Sequence, residues 1–177
     1  MPFNLIKKYP DLLEIAHMTE WQRGVSLRGV FDRDILNNAN FQFYGKQIRP
    51  IKNDGDDSMD TLFNHLITCD EEIDNKKTGK RVFEVARAIR LHWLRHHIEL
   101  ANLGATNIDV FSCQERIKGR GFVIRTYIFN EEDRYVIILE PQRSGIDYYL
   151  ITAYYIDKDW GLRQIESKRR NKLPVVY

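Results

Sequence analysis

The sequence predicts an α+β fold in a single domain over 1–177. A mainly helical part with a small hairpin covers 1–104. A four-stranded antiparallel sheet and a basic C-terminal helix cover 105–177. Three observations carry this expectation. Val82, Val85, Ala86, Ile89, Trp93, His96 and Leu100 recur at helical spacing. From Ile108 to Ile156, strand-forming stretches follow one another with short polar turns between them. The stretch WGLRQIESKRR, 160–170, then reads as a basic helix.

The elements are expected in this order. Pro10 suits the first turn of a short helix to His17. Thr19 with Gln22 has capping-box spacing for a second helical stretch. Ser26 would cap a third, with Leu27, Val30, Phe31 and Ile35 inward and Asn37–Asn38 as its stop. FQFYGKQIRPI, 41–51, reads as a hairpin turning at Gly45–Lys46. Residues 53–57 are a loop, and a helix starts at Asp57 or Ser58 with Met59, Leu62, Phe63 and Leu66 inward. Residues 70–80 are polar and expected as loop. A long helix is expected from Lys80 to Leu103, with Gly104 as its C-cap. Strands are expected at 108–117, 121–129, 134–140 and 147–156, with turns at 130–133 and 141–145. Asp159 is the expected cap of the last helix.

Composition bounds the function classes. The chain has 177 residues, enough for one domain with a full core, and an ordinary apolar content. No apolar run approaches the ~18–20 residues that span a bilayer, so no membrane association is expected. The first residues lack the apolar core of a signal peptide. Two cysteines without a CxxC fit a reducing compartment, and cytoplasmic residence is expected. Net charge is only +2 but unevenly spread. Residues 53–75 hold eight acids and no Lys or Arg, and 76–97 hold seven bases against Glu84. Such segments either neutralise one another or present a basic face to phosphate. P-loop, dinucleotide-binding and serine-esterase motifs are absent.

Alternation along the strands groups the candidate functional residues. Arg125 and Tyr127 share a face with Val123 and Phe129. Glu140 shares one with Arg134, Val136 and Ile138. Thr152 shares one with Tyr148, Leu150, Tyr154 and Ile156. A face assembled from Arg125, Tyr127, Glu140, Thr152 and Tyr154 suits phosphoryl transfer on RNA. Arginine would stabilise the charge, glutamate would act as base and hydroxyls would orient the phosphate. The same pattern is met by a cross-strand ion pair between Arg125 and Glu140 with tyrosines at the core rim. Arg143 lies in the adjoining turn, and Lys168, Arg169 and Arg170 end the last helix, where the macrodipole alone favours cations. All five histidines lie in the helical part. His92 and His96 are four apart, but Trp93 stands where HExxH requires glutamate and no third ligand is identifiable, so no metal and no cofactor is expected. His96 or His65 is the candidate general acid or base.

The succession RGFVIRTYIF, RYVIILEPQ, GIDYYLITAYYI and a basic helix resembles the barnase–EndoU–colicin–RelE (BECR) superfamily of metal-independent RNases, nearest its phage and prophage-associated branches. The resemblance covers about 105–172. It implies an antiparallel sheet that carries the active site. Thr152 matches the hydroxyl residue of the last strand, Arg125 matches a basic residue of an inner strand, and Glu140 stands where an acid or base could. The departure is that several members use a histidine near the sheet, where this chain has none. The implied function is a metal-independent endoribonuclease of phage or mobile-element origin, with a toxin role. It would act by 2′-OH attack to a 2′,3′-cyclic phosphate, with catalytic Arg125, Glu140, Thr152, Tyr154 and His96. Tyr127, Arg143, Lys168 and Arg169 would bind RNA, and a cognate inhibitor is the expected partner. The alternatives are a non-catalytic interaction module that uses the acidic 54–74 segment and a DNA-binding protein that uses Arg87–Arg95.

Overall fold

The computed structural model describes residues 3–51, 58–74 and 76–177, and the loop expected at 53–57 lies outside them. The fold is α+β, and the chain forms two compact units. Met1–Asn38 with Lys52–Arg95 make the first, and Ala39–Ile51 with His96–Tyr177 the second. Among the described residues no helix is long and apolar enough to cross a membrane.

In the first unit, helix α1 (Glu20–Phe31) opens on the expected capping box. The Thr19 hydroxyl accepts from the Gln22 backbone, and the Gln22 side chain accepts from the Thr19 backbone. Ser26 caps nothing. It lies inside α1, its hydroxyl bonded to the buried Asn4 side chain at 2.8 Å. The helix runs directly into a π-helical turn, Asp32–Leu36. The helix expected at Pro10 does not form, because the amides that would build it bond elsewhere. Leu13 N–H donates to the Ile89 carbonyl and Glu14 N–H to the Asn4 side chain. Helix α2 (Ser58–Ile67) buries Leu62, Phe63, Leu66 and Ile67, and Phe63 meets Phe31 edge-on at 5.3 Å.

Two expectations fail together at 70–103. The polar 70–80 stretch is a hairpin, and the long helix from Lys80 is broken. A short hairpin of the second unit supplies the first two strands, β1 (Gln42–Phe43) and β2 (Lys46–Arg49). Strands β3 (Thr68–Ile73) and β4 (Lys76–Phe83) then pair antiparallel, with Cys69 opposite Val82 and Asp70 opposite Arg81. The charges of this stretch neutralise one another as cross-strand partners: Asp70 binds Arg81 at 2.8 Å and Lys77 at 2.7 Å. Glu84 then caps a single turn, α3 (Val85–Ala88), and helix α4 begins only at Trp93 and ends at Asn102. Gly104 terminates α4 as expected. At φ +67° it donates to Ala101 while Ala105 donates to Leu100, the Schellman pattern.

In the second unit the main sheet has six strands, not four. To β1 and β2 are added β5 (Asp109–Ile117), β6 (Gly121–Asn130), β7 (Tyr135–Pro141) and β8 (Tyr148–Tyr155), in the order β1-β2-β8-β7-β6-β5. The β1–β2 turn is Tyr44–Gly45, one residue earlier than expected, with positive φ at both residues as a type I′ hairpin requires. Strand β2 joins the sheet parallel to β8, Ile48 opposite Tyr148. Local pattern cannot announce a pairing across so many residues. Helix α5 (Asp159–Arg170) packs Ile165 and Leu162 on one face of the sheet, over Phe111, Tyr127, Phe129 and Val136. Asp159 is the first residue of α5 rather than its cap, and its carboxylate accepts from Arg134 at 2.8 Å.

A β-bulge in β8 corrects the expected grouping of its residues. Ile138 stands opposite Thr152 but Leu139 stands opposite Leu150, so Ile151 is the extra residue. Alternation restarts there. Thr152 and Tyr154 keep the α5 face, whereas Tyr148 and Leu150 turn to the other, where both are 1% exposed.

Candidate functional site

Antiparallel register places the expected residues on the α5 face in rows. Cys113 is opposite Arg125. Phe111, Tyr127, Ile138 and Thr152 follow one another across four strands, and Val136 is opposite Tyr154. Glu140 lies two residues along β7 from Ile138.

Arg125 and Glu140 meet. Their side chains approach to 3.1 Å (Nη2 to Oε2), and each residue is 8% exposed. Arg120, from the β5–β6 turn, closes on the same carboxylate as a fork, with Nη2 donating to Oε1 at 2.5 Å and Nη1 to Oε2 at 3.2 Å. Hydrogen bonding to Glu140 raises the Arg120 pKa further. The Nη1 of Arg125 is buried without a hydrogen-bond partner in the protein. A buried guanidinium donor left unmade is costly, and such sites mark functional candidates.

A second cluster adjoins this one. Lys168 descends from α5 to bind Glu115 at 2.6 Å, and it donates to the Tyr127 hydroxyl at 2.8 Å. The Tyr127 hydroxyl donates in turn to Glu115. Burial pushes the Glu115 carboxyl up, but its bonds to Lys168 and Tyr127 outweigh burial and hold it below the ordinary range. Burial, reinforced by Glu115, pushes the Tyr127 hydroxyl up so that it stays protonated. Burial likewise lifts the Cys113 thiol to about 11, and its Sγ lies 3.5 Å from Glu115. Three cations, Arg120, Arg125 and Lys168, thus face two carboxylates in a partly buried setting suited to one further negative charge.

The other expected residues divide. Thr152 is diagonal to Glu140 on the same face, and Tyr154 packs one row away in the α5-covered core. Arg143, in the β7–β8 turn, lines a cleft of about 410 Å³ with Lys46, Arg120 and Glu140. Two of the expected residues lie away from this cluster. Arg169 is held at the far end of the sheet by Asp109 at 2.6 Å, Glu131 and Glu166. His96 belongs to the opposite face, because the ring of its neighbour His97 packs, tilted, 4.8 Å from that of Tyr135, which points away from α5. His97 itself is bonded to Asp133 at 3.0 Å, which Asn130 also binds.

Sequence reasoning missed Arg120, Glu115 and Cys113. Glu115 was within reach, since alternation on β5 puts it with Cys113 and Phe111 on the Arg125 face. Arg120 sits in a turn, where no periodicity reports orientation. Comparison of the chain with family models, curated proteins and solved structures finds no match.

Proposed function

We propose that the protein is an endoribonuclease acting at the Arg125–Glu140 pair. The observation that carries this reading is the buried Nη1 of Arg125, which has no protein partner beside a carboxylate already shared with Arg120. A phosphodiester entering here gives that donor an acceptor and takes over part of the arginine charge from Glu140. The Glu140 carboxylate, still held by Arg120, then accepts the ribose 2′-OH proton. The 2′-oxygen bonds to phosphorus, the P–O5′ bond breaks, and the departing 5′-oxygen takes a proton from water. The products are a 2′,3′-cyclic phosphate and a 5′-hydroxyl. Thr152 orients the phosphate, and Tyr127 and Lys168 support the charge. Independence from metal, a toxin role and a cognate inhibitor accompany this reading through the BECR resemblance.

The test is incubation of purified protein with tRNA and rRNA in EDTA, with the new ends analysed chemically. Cyclic phosphate ends that vanish in Arg125→Ala support the reading. RNA left intact with and without added metal, together with unimpaired growth on induced expression, refutes it.

A second reading is a non-catalytic module that binds RNA at the same surface. It is favoured by the two guanidiniums already holding Glu140 and by the placement of His96 on the opposite face. Tight RNA binding without cleavage is its expected result.

A further inference from the structure

The cleft at the turn end of the main sheet shares Glu140 and Arg120 with the reaction step above, and its other lining residues take no part in that step. Its cations are Lys46 from β2, Arg120 from the β5–β6 turn and Arg143 from the β7–β8 turn, and its carboxylate is Glu140. Arg120 already binds that carboxylate with both terminal nitrogens. Among the described residues neither Lys46 nor Arg143 has a carboxylate partner. Lys46 instead stands over the Tyr148 ring at 5.4 Å. The side chains that line the cleft therefore carry a net positive charge.

Phe122 lines the same cleft and is 69% exposed, although β6 is an inner strand of the sheet. It stands opposite the exposed Arg116. The facing wall is Tyr177, whose backbone is fixed. Its N–H donates to Ser112 Oγ at 3.0 Å, and its carbonyl accepts from Thr126 at 3.0 Å and Tyr148 at 2.6 Å. The combination of an exposed ring, two cations without a carboxylate partner and a fixed wall matches how single strands are held, by stacking bases on aromatic rings along a basic groove. A volume of about 410 Å³ suits a small-ligand site, on the scale of one nucleotide.

We infer that this cleft is a single-stranded RNA subsite: Phe122 stacks one unpaired base, Lys46 and Arg143 hold the adjoining phosphates, and Glu140, which lines the cleft and pairs with Arg125, joins it to the reacting end. The inference rests on the RNA reading above and adds the class of RNA taken. A base paired in a duplex cannot present its ring face to Phe122, so duplex RNA is excluded from the subsite.

The test uses fluorescence anisotropy with a 2′-O-methyl oligoribonucleotide, which resists 2′-OH attack, alone or annealed to its complement. The native chain is expected to bind the single strand at least tenfold more tightly than the duplex. Phe122→Ala weakens single-strand binding about tenfold. Lys46→Glu with Arg143→Glu weakens it further and flattens the salt dependence by about one to two charges' worth. These residues are solvent-facing, and unchanged Tm values show that the variants fold. Equal affinity for duplex, or native affinity in both variants, overturns the inference. RNA that is bound with these dependences but never cleaved removes the nuclease reading alone. RNA that is cleaved equally by native chain and Phe122→Ala, single-stranded or duplex, removes the subsite alone.

Discussion

Arg125 on β6 and Glu140 on β7 form a buried ion pair, Nη2 3.1 Å from Oε2, while the other terminal nitrogen of Arg125 has no protein partner. The pair is thus half-completed from the arginine side and over-supplied from the glutamate side, where Arg120 also binds. Such an arrangement is weak evidence for stability and a good place for a ligand anion.

Removing one partner exposes the cost of the arrangement. Glu140→Gln should destabilise the protein by about 3 kcal/mol, because Arg125 keeps its buried charge. Arg125→Met with Glu140→Leu should cost less than Glu140→Gln alone. Urea unfolding midpoints measure both, and a double variant less stable than the single one contradicts the pair as described.

The two faces of the sheet make opposite predictions for activity. Arg125→Ala should lower RNA cleavage by about 100-fold or more, the usual effect of losing a charge-stabilising donor. His96→Ala should leave it within about twofold, because His96 lies on the other face. Initial rates on one RNA substrate decide the matter, and the reverse order of effects excludes the α5 face as the site.

Lys168→Met should destabilise the protein at pH 7 but not at pH 3. In the native chain Glu115 has its pKa depressed, with Lys168 among the causes opposing burial. Its contribution is therefore present above the unfolded carboxylate pKa and lost as pH falls through the folded one. Without Lys168, burial is opposed only by the hydrogen bonds to Tyr127 and Cys113, and the loss is felt only while Glu115 is ionised. A deficit of about 1–2 kcal/mol at neutral pH, closing on acidification, is expected from denaturant curves. A deficit independent of pH would point to lost packing instead.

His92 should make the protein acid-sensitive. It is buried, and burial, only partly offset by the Asp11 backbone, lowers its pKa to about 4. The unfolded chain binds the proton with its ordinary affinity near pH 6.5, so the unfolded state holds more protons between 6.5 and 4. Stability therefore falls as pH falls through that window, by about 3 kcal/mol in total. His92→Phe should flatten the pH dependence of Tm between 6.5 and 4, and an unchanged slope would discount His92 as its source.

Much of the sheet was legible in the sequence because its information is local. Four strands, their two turns, Gly104 and the Thr19–Gln22 box are all specified by residues a few positions apart, through side-chain period and cap chemistry. So was the sharing of a face by Arg125, Tyr127, Glu140 and Thr152. Tertiary structure alone decided the rest. Cross-strand pairing of Asp70 with Arg81 and Lys77 turned an apparent loop into a hairpin and ended the apparent long helix. The bulge at Ile151 sent Tyr148 away from Thr152, because one extra residue reverses a period of two. The parallel pairing of β2 with β8, the fork of Arg120 on Glu140 and the placing of His96 on the far face all join residues remote in sequence. Period and propensity carry no record of such contacts, which are fixed only when the whole chain finds where its buried charges and apolar faces can be satisfied together.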